Sequence, residues 1–74
     1  MVTSAQLRAA RGLLNWTVRD LAEAADVHRN TVTRLETMAP TESLPGNAVA
    51  LIVAALEAAG VEFINGTGVR LRRD

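Results

Sequence analysis

Leu7, Ala10, Leu13 and Leu14 recur at the three- and four-residue spacing of one helix face, and Thr3 followed by Gln6 has the form of a capping box. Together they predict a first helix from about Ser4 to Leu14, which Asn15-Trp16 interrupts. A second cap signature, Thr17 with Asp20, opens a short helix from Val18 to about Ala25 that turns Leu21, Ala22 and Ala25 inward. After the tight connection Ala25-Asp26-Val27-His28, a third helix starts at Arg29, carries Val32 and Leu35 inward and ends near Thr37. Pro and small polar residues from Met38 to Leu44 read as a loop. Pro45 then suits the first turn of a fourth helix, Pro45 to about Ala59, and Gly60 suits the left-handed position that ends it.

The fourth helix differs from the others. Val49, Ile52, Leu56 and Ala59 form one stripe, but Leu51 and Val53 lie outside its centre and Glu57 is the lone charge, so burial on more than one side is expected. Beyond Gly60 the period changes to alternation: Val61 and Phe63, then Val69 and Leu71, with Asn65-Gly66-Thr67-Gly68 between. This predicts a hairpin over 61–72 in which Phe63 faces Val69 and Val61 faces Leu71 on one face, with Glu62, Arg70 and Arg72 on the other. A two-stranded hairpin is marginal in water, so it must pack on the helices or pair with another chain.

At 74 residues the chain forms one domain, 1–74, mainly α, and a domain this small gains stability from a partner. With no Cys there is no disulfide framework or thiolate zinc site, which suits a reducing cytoplasm. The longest apolar stretch, Ala48 to Leu56, is too short to cross a bilayer, and Met1-Val2-Thr3-Ser4 has no charged signal-peptide start, so the expectation is a soluble, untargeted protein with no membrane partner. The formal net charge is zero, but it is segregated: residues 1–34 hold five Arg against three acidic residues, residues 35–68 hold four Glu and no base, and residues 69–74 hold three Arg against Asp74. Every basic residue is Arg, whose planar fork suits phosphate and guanine, although a GC-rich genome accounts for the same bias.

The run Trp16-Thr17-Val18-Arg19-Asp20-Leu21-Ala22-Glu23-Ala24-Ala25-Asp26-Val27-His28-Arg29-Asn30-Thr31-Val32-Thr33-Arg34-Leu35-Glu36 resembles the helix-turn-helix of the Cro/phage-repressor (XRE) family. The resemblance implies a lambda-repressor-like domain over residues 5–59, with one helix fewer or fused relative to the five-helix type, and the tail resembles short bacterial members that end in a hairpin. In such a unit Leu21, Ala22, Val27, Val32 and Leu35 lock two helices together, and Ala22 must be small because the helices approach closely there. The family's base-reading positions fall on Arg29, Asn30, Thr33 and Arg34, with His28 just before them. Arg donates bidentately to guanine, Asn pairs with adenine, and Thr touches a thymine methyl. The bland alternative is the solvated face of an amphipathic helix.

The resemblance also places Thr17, and the amides at the start of the second helix, against a phosphate. Val18 stands where many members have Gln, and Arg19 is the candidate substitute contact. Arg11 and Glu36 match a pair the family often joins as a salt bridge, and Trp16 reads as a partly buried lid. His28 has no companion His or Cys at ligand spacing, so it is expected to cap a helix or touch phosphate. Arg70, Arg72 and Arg73 read as a solubilising tail, with a clamp on the DNA backbone as the alternative.

The leading expectation is a sequence-specific regulator of double-stranded DNA, cytoplasmic, binding an inverted-repeat operator as a homodimer. Leu51, Val53, Val61, Phe63, Ile64, Val69 and Leu71 are the expected dimer contacts. The alternative is a protein-interaction module, an antitoxin or antiactivator, that binds a second regulatory protein through helix 45–59 and the hairpin. No catalytic residues, metal or cofactor are expected, because no paired carboxylates, activated nucleophile or glycine-rich phosphate loop can be assembled.

Overall fold

In the computed structural model, Thr3 and Gln6 begin the first helix as a reciprocal cap: the Thr3 hydroxyl accepts from the Gln6 amide (3.3 Å) and Gln6 Oε1 accepts from the Thr3 amide (3.0 Å). The structure describes residues 2–38, 46–64 and 68–72. Helix α1 spans Ser4–Leu13 and closes at Leu14, after which Asn15 turns the chain at φ 57 and the Trp16 amide donates back to the Arg11 carbonyl (2.9 Å). Helix α2, Val18–Ala25, repeats the reciprocal cap with Thr17 and Asp20 and ends at Asp26 in the left-handed region (φ 58). Helix α3 spans Arg29–Glu36. All three agree with the periodicity to within a residue.

Helix α4 is shorter than the expected 45–59, at Asn47–Ala58. Its N-cap is Gly46 at φ 92, a backbone that cannot propagate a helix, so the first turn begins at Asn47. Pro45 itself, the expected loop from Ala39 onward and the turn at 65–67 lie outside the described residues. At the other end Ala59 is the C-cap and Gly60, at φ 105, takes the left-handed position predicted for it. The hairpin forms in the predicted register: β1 (Val61–Ile64) pairs antiparallel with β2 (Gly68–Leu71), with Val61 opposite Leu71 and Phe63 opposite Val69.

The core is one cluster drawn from every helix and the first strand: Leu7 and Ala10; Leu21, Ala22 and Ala25; Val32 and Leu35; Ile52 and Leu56; and Val61. Val18, Val27, Val49, Phe63 and Val69 pack around it half-buried. Helix α3 packs against α1 and α2, α4 packs against α2, and the hairpin packs against α1 and α4. Burying each large aliphatic side chain contributes roughly 1.5–3 kcal/mol, which makes Leu7, Leu21, Ile52 and Leu56 the anchors of a small interior.

Two apolar positions, Leu13 and Ala59, depart from the sequence pattern: Leu13, in the last turn of α1, is 41 % exposed. Ala59 is exposed, because the helix has ended there and the chain is already turning toward β1. The surplus face of α4 is left open by the chain's own fold, with Leu51 at 51 % exposure and Val53 half-buried.

Candidate nucleic-acid interface

The two helices of the motif meet through small and branched side chains. Ala22 is buried, and its carbonyl accepts from the Val27 amide (3.0 Å), so the inter-helix turn closes directly over it. Leu21, Val32 and Leu35 fill the space between α2, α3 and α1. With that inner face committed, the opposite face of α3 is free. Arg29 and Thr33, and Asn30 and Arg34, are each four residues apart, so the four side chains spread over one broad side of α3, and all four are exposed.

The caps orient this face. His28 is the N-cap of α3, its Nδ1 accepting from the Asn30 amide at 3.0 Å. An acceptor nitrogen carries no proton, so the cap requires neutral imidazole, with the hydrogen on Nε2. At the start of α2 the Thr17 hydroxyl accepts from the Asp20 amide (3.0 Å) and the Asp20 carboxylate accepts from the Thr17 amide (2.9 Å). That carboxylate takes the Thr17 N–H, and the Val18 and Arg19 amides are the donors left at this helix end. Val18 is half-buried against the core, and Arg19 pairs with Glu23 one turn on (3.4 Å) with both side chains mostly in solvent.

Beneath α3 lies the ion pair that the resemblance implied. Arg11 grips Glu36 with two parallel bonds, Nε to Oε2 at 2.9 Å and Nη2 to Oε1 at 2.8 Å, and its Nη1 donates to the Trp16 carbonyl (3.0 Å). The hydrogen bond to Glu36 holds the Arg11 guanidinium above its already high range against the opposing effect of burial, so this cation is permanent. Trp16 is half-buried against the core, as a lid. Local sequence did not point to two further donors from α1: Arg8 donates to the Glu36 carbonyl, and Ser4 Oγ donates to the Met38 carbonyl (2.9 Å). Their acceptors are backbone oxygens about thirty residues away, which no side-chain pattern marks.

The hairpin arginines are used inside the chain. Arg70 pairs with Glu62 across the two strands at 2.7 Å, and Arg72 Nη2 donates to the Glu57 carbonyl (2.8 Å) in the last turn of α4. Arg70 and Arg72 thus each have a partner within the chain, and Arg73 lies outside the described residues. Among the described arginines, only Arg29 and Arg34 make no side-chain hydrogen bond or ion pair.

The residues expected at a dimer contact divide by burial. Val61 is spent on the chain's own core, Phe63 and Val69 pack half-buried against it, and Leu51, Ile64 and Leu71 remain open. Among the described residues no group of His, Asp and Glu is placed to hold a metal ion, and no helix is long and apolar enough to cross a membrane.

Residues 7–56, which contain α2, α3 and the Arg11–Glu36 pair, match a family model described as Helix-turn-helix. No curated protein and no solved structure matches the chain.

Proposed function

Because the chain belongs to the helix-turn-helix family of Cro/phage-repressor (XRE) type and is a DNA-binding transcriptional regulator, we propose that it reads an inverted-repeat operator as a homodimer. Helix α3 enters the major groove of each half-site in the bacterial cytoplasm. Arg29 and Arg34 donate to guanine edges, Asn30 to adenine, and Thr33 touches a thymine methyl. His28 Nε2–H and the Val18 and Arg19 amides face phosphate.

The observation that carries this reading is the contrast among arginines. Five described Arg side chains are tied to partners in the chain, and the two left without one stand five residues apart at exposed positions of α3. A chain with zero net charge has no bulk attraction for DNA, so affinity has to come from such placed groups and from two copies acting together.

Gel shifts across a salt series on DNA selected from a random pool test it. Arg29→Ala and Arg34→Ala each weaken specific binding about tenfold or more, from the roughly 1–3 kcal/mol of one bidentate base contact, without lowering thermal stability. Unchanged affinity in both variants overturns the assignment.

The exposure of Leu51, Ile64 and Leu71 favours a second reading, in which α4 and the hairpin bind a second regulatory protein and DNA contact is secondary. Under that reading the two Arg variants leave function intact, whereas Leu51→Glu abolishes partner binding.

A further inference from the structure

Gln6 does more than cap α1. Its side chain is only 1 % exposed, and while Oε1 accepts from the Thr3 amide, Nε2 donates to two carbonyls at the far end of the chain, Ile64 and Gly68, each at 3.1 Å. Ile64 and Gly68 are the opposed pair at the turn end of the hairpin, so one amide group holds both strands where they meet. Both donors of the amide and its acceptor are engaged.

The same helix holds α3 with other side chains. Ser4 donates to the Met38 carbonyl, Arg8 to the Glu36 carbonyl and Arg11 to the Glu36 carboxylate. Helix α1 is thus fastened at once to the end of the reading helix and to the hairpin.

We infer that Gln6 is a positioning residue that sets the distance and angle between the two reading helices of the dimer, and hence the half-site spacing the protein accepts. The inference rests on the homodimer reading, with the exposed Ile64 and Leu71 of the hairpin at the subunit contact. If the hairpin joins the two subunits, its attachment to α1 is in the mechanical path from one α3 to the other. Freeing it leaves each reading face intact but lets the two faces move relative to each other. Base preference within a half-site and preference for spacing between half-sites then become separable properties.

Gln6→Glu separates them. Glu keeps the acceptor for the Thr3 amide, so the helix cap survives, but it replaces the two N–H donors with one carboxylate oxygen facing two carbonyl oxygens. Gln6→Met, similar in length and without hydrogen bonds, is the uncharged companion. The experiment measures binding of full-length protein to inverted repeats carrying one half-site sequence and a graded series of spacers, alongside amide exchange of residues 61–64 and 68–72.

The expected result is that wild type selects one spacing, that both variants keep the half-site sequence preference while binding neighbouring spacings within a few-fold of the best, and that hairpin amides exchange about tenfold faster or more. Unaltered spacing selectivity in folded, dimeric variants overturns the inference and leaves the operator reading standing. A wild type that stays monomeric, or binds single half-sites without regard to spacing, overturns the operator reading and this inference with it. Faster hairpin exchange in the variants then marks Gln6 as a fastener of the fold alone.

Discussion

At the residue scale, the Arg11–Glu36 pair is asymmetric. Glu36 is 6 % exposed and Arg11 23 %, so removing either partner leaves a different problem behind. Arg11→Ala strands a carboxylate with little access to water, and a loss of about 2–4 kcal/mol is expected, whereas Glu36→Ala leaves a guanidinium that reaches solvent and still holds Trp16, with a loss of about 1–2 kcal/mol. Urea denaturation of both single variants and the double variant checks this. Equal losses for the two singles would contradict the asymmetry. Gly12 gives the opposite sign. It lies in the last turns of α1, exposed, with no atom within 4 Å of an added Cβ. Gly12→Ala therefore restricts the unfolded chain and favours the helix, and a gain of about 0.5–1 kcal/mol in the same titration is expected.

At the scale of elements, the helix-turn-helix depends on how closely α2 and α3 approach. Ala22 is buried between them, and its carbonyl is held by the Val27 amide, so a larger side chain has to push against the turn that closes there. Ala22→Leu is expected to cost about 1–3 kcal/mol or more. In a domain of this size each kcal/mol moves the melting temperature by roughly 4–8 °C, so thermal denaturation registers it plainly. Full stability together with full DNA affinity would show that the helices are not in close contact. The two N-cap motifs contribute differently. Thr17–Asp20 is exposed and serves its own helix, whereas Thr3–Gln6 is buried and also carries the hairpin.

For the whole molecule, the interior is small and three large aliphatic side chains outside it, Leu51, Ile64 and Leu71, lie between 44 % and 51 % exposed on α4 and the hairpin. A second copy covering them would stabilise the folded state by mass action. The melting temperature is therefore expected to rise over about a hundredfold increase in protein concentration, and sedimentation to give a dimer at micromolar concentration. A concentration-independent transition with a monomer in the cell would contradict association through these residues. In the dimer the two α3 helices would lie about 34 Å apart, one turn of DNA.

Sequence by itself determined the local features. Three helix starts, two reciprocal caps, the left-handed turn at Gly60 and the hairpin register depend on residues within a few positions of one another, and their physics is complete at that range. The exposed side of α3 was legible for the same reason, since periodicity assigns Val32 and Leu35 inward and leaves Arg29, Asn30, Thr33 and Arg34 outward. The start of α4 was less so, because the sequence marked it by Pro45 alone, whereas the backbone of Gly46 at φ 92 sets the first turn at Asn47. Tertiary structure alone decided which arginines are free and what Gln6 holds. Arg8, Arg72 and Gln6 all donate to backbone carbonyls, and a carbonyl is present at every residue, so nothing in the side-chain sequence marks which one a distant donor will meet.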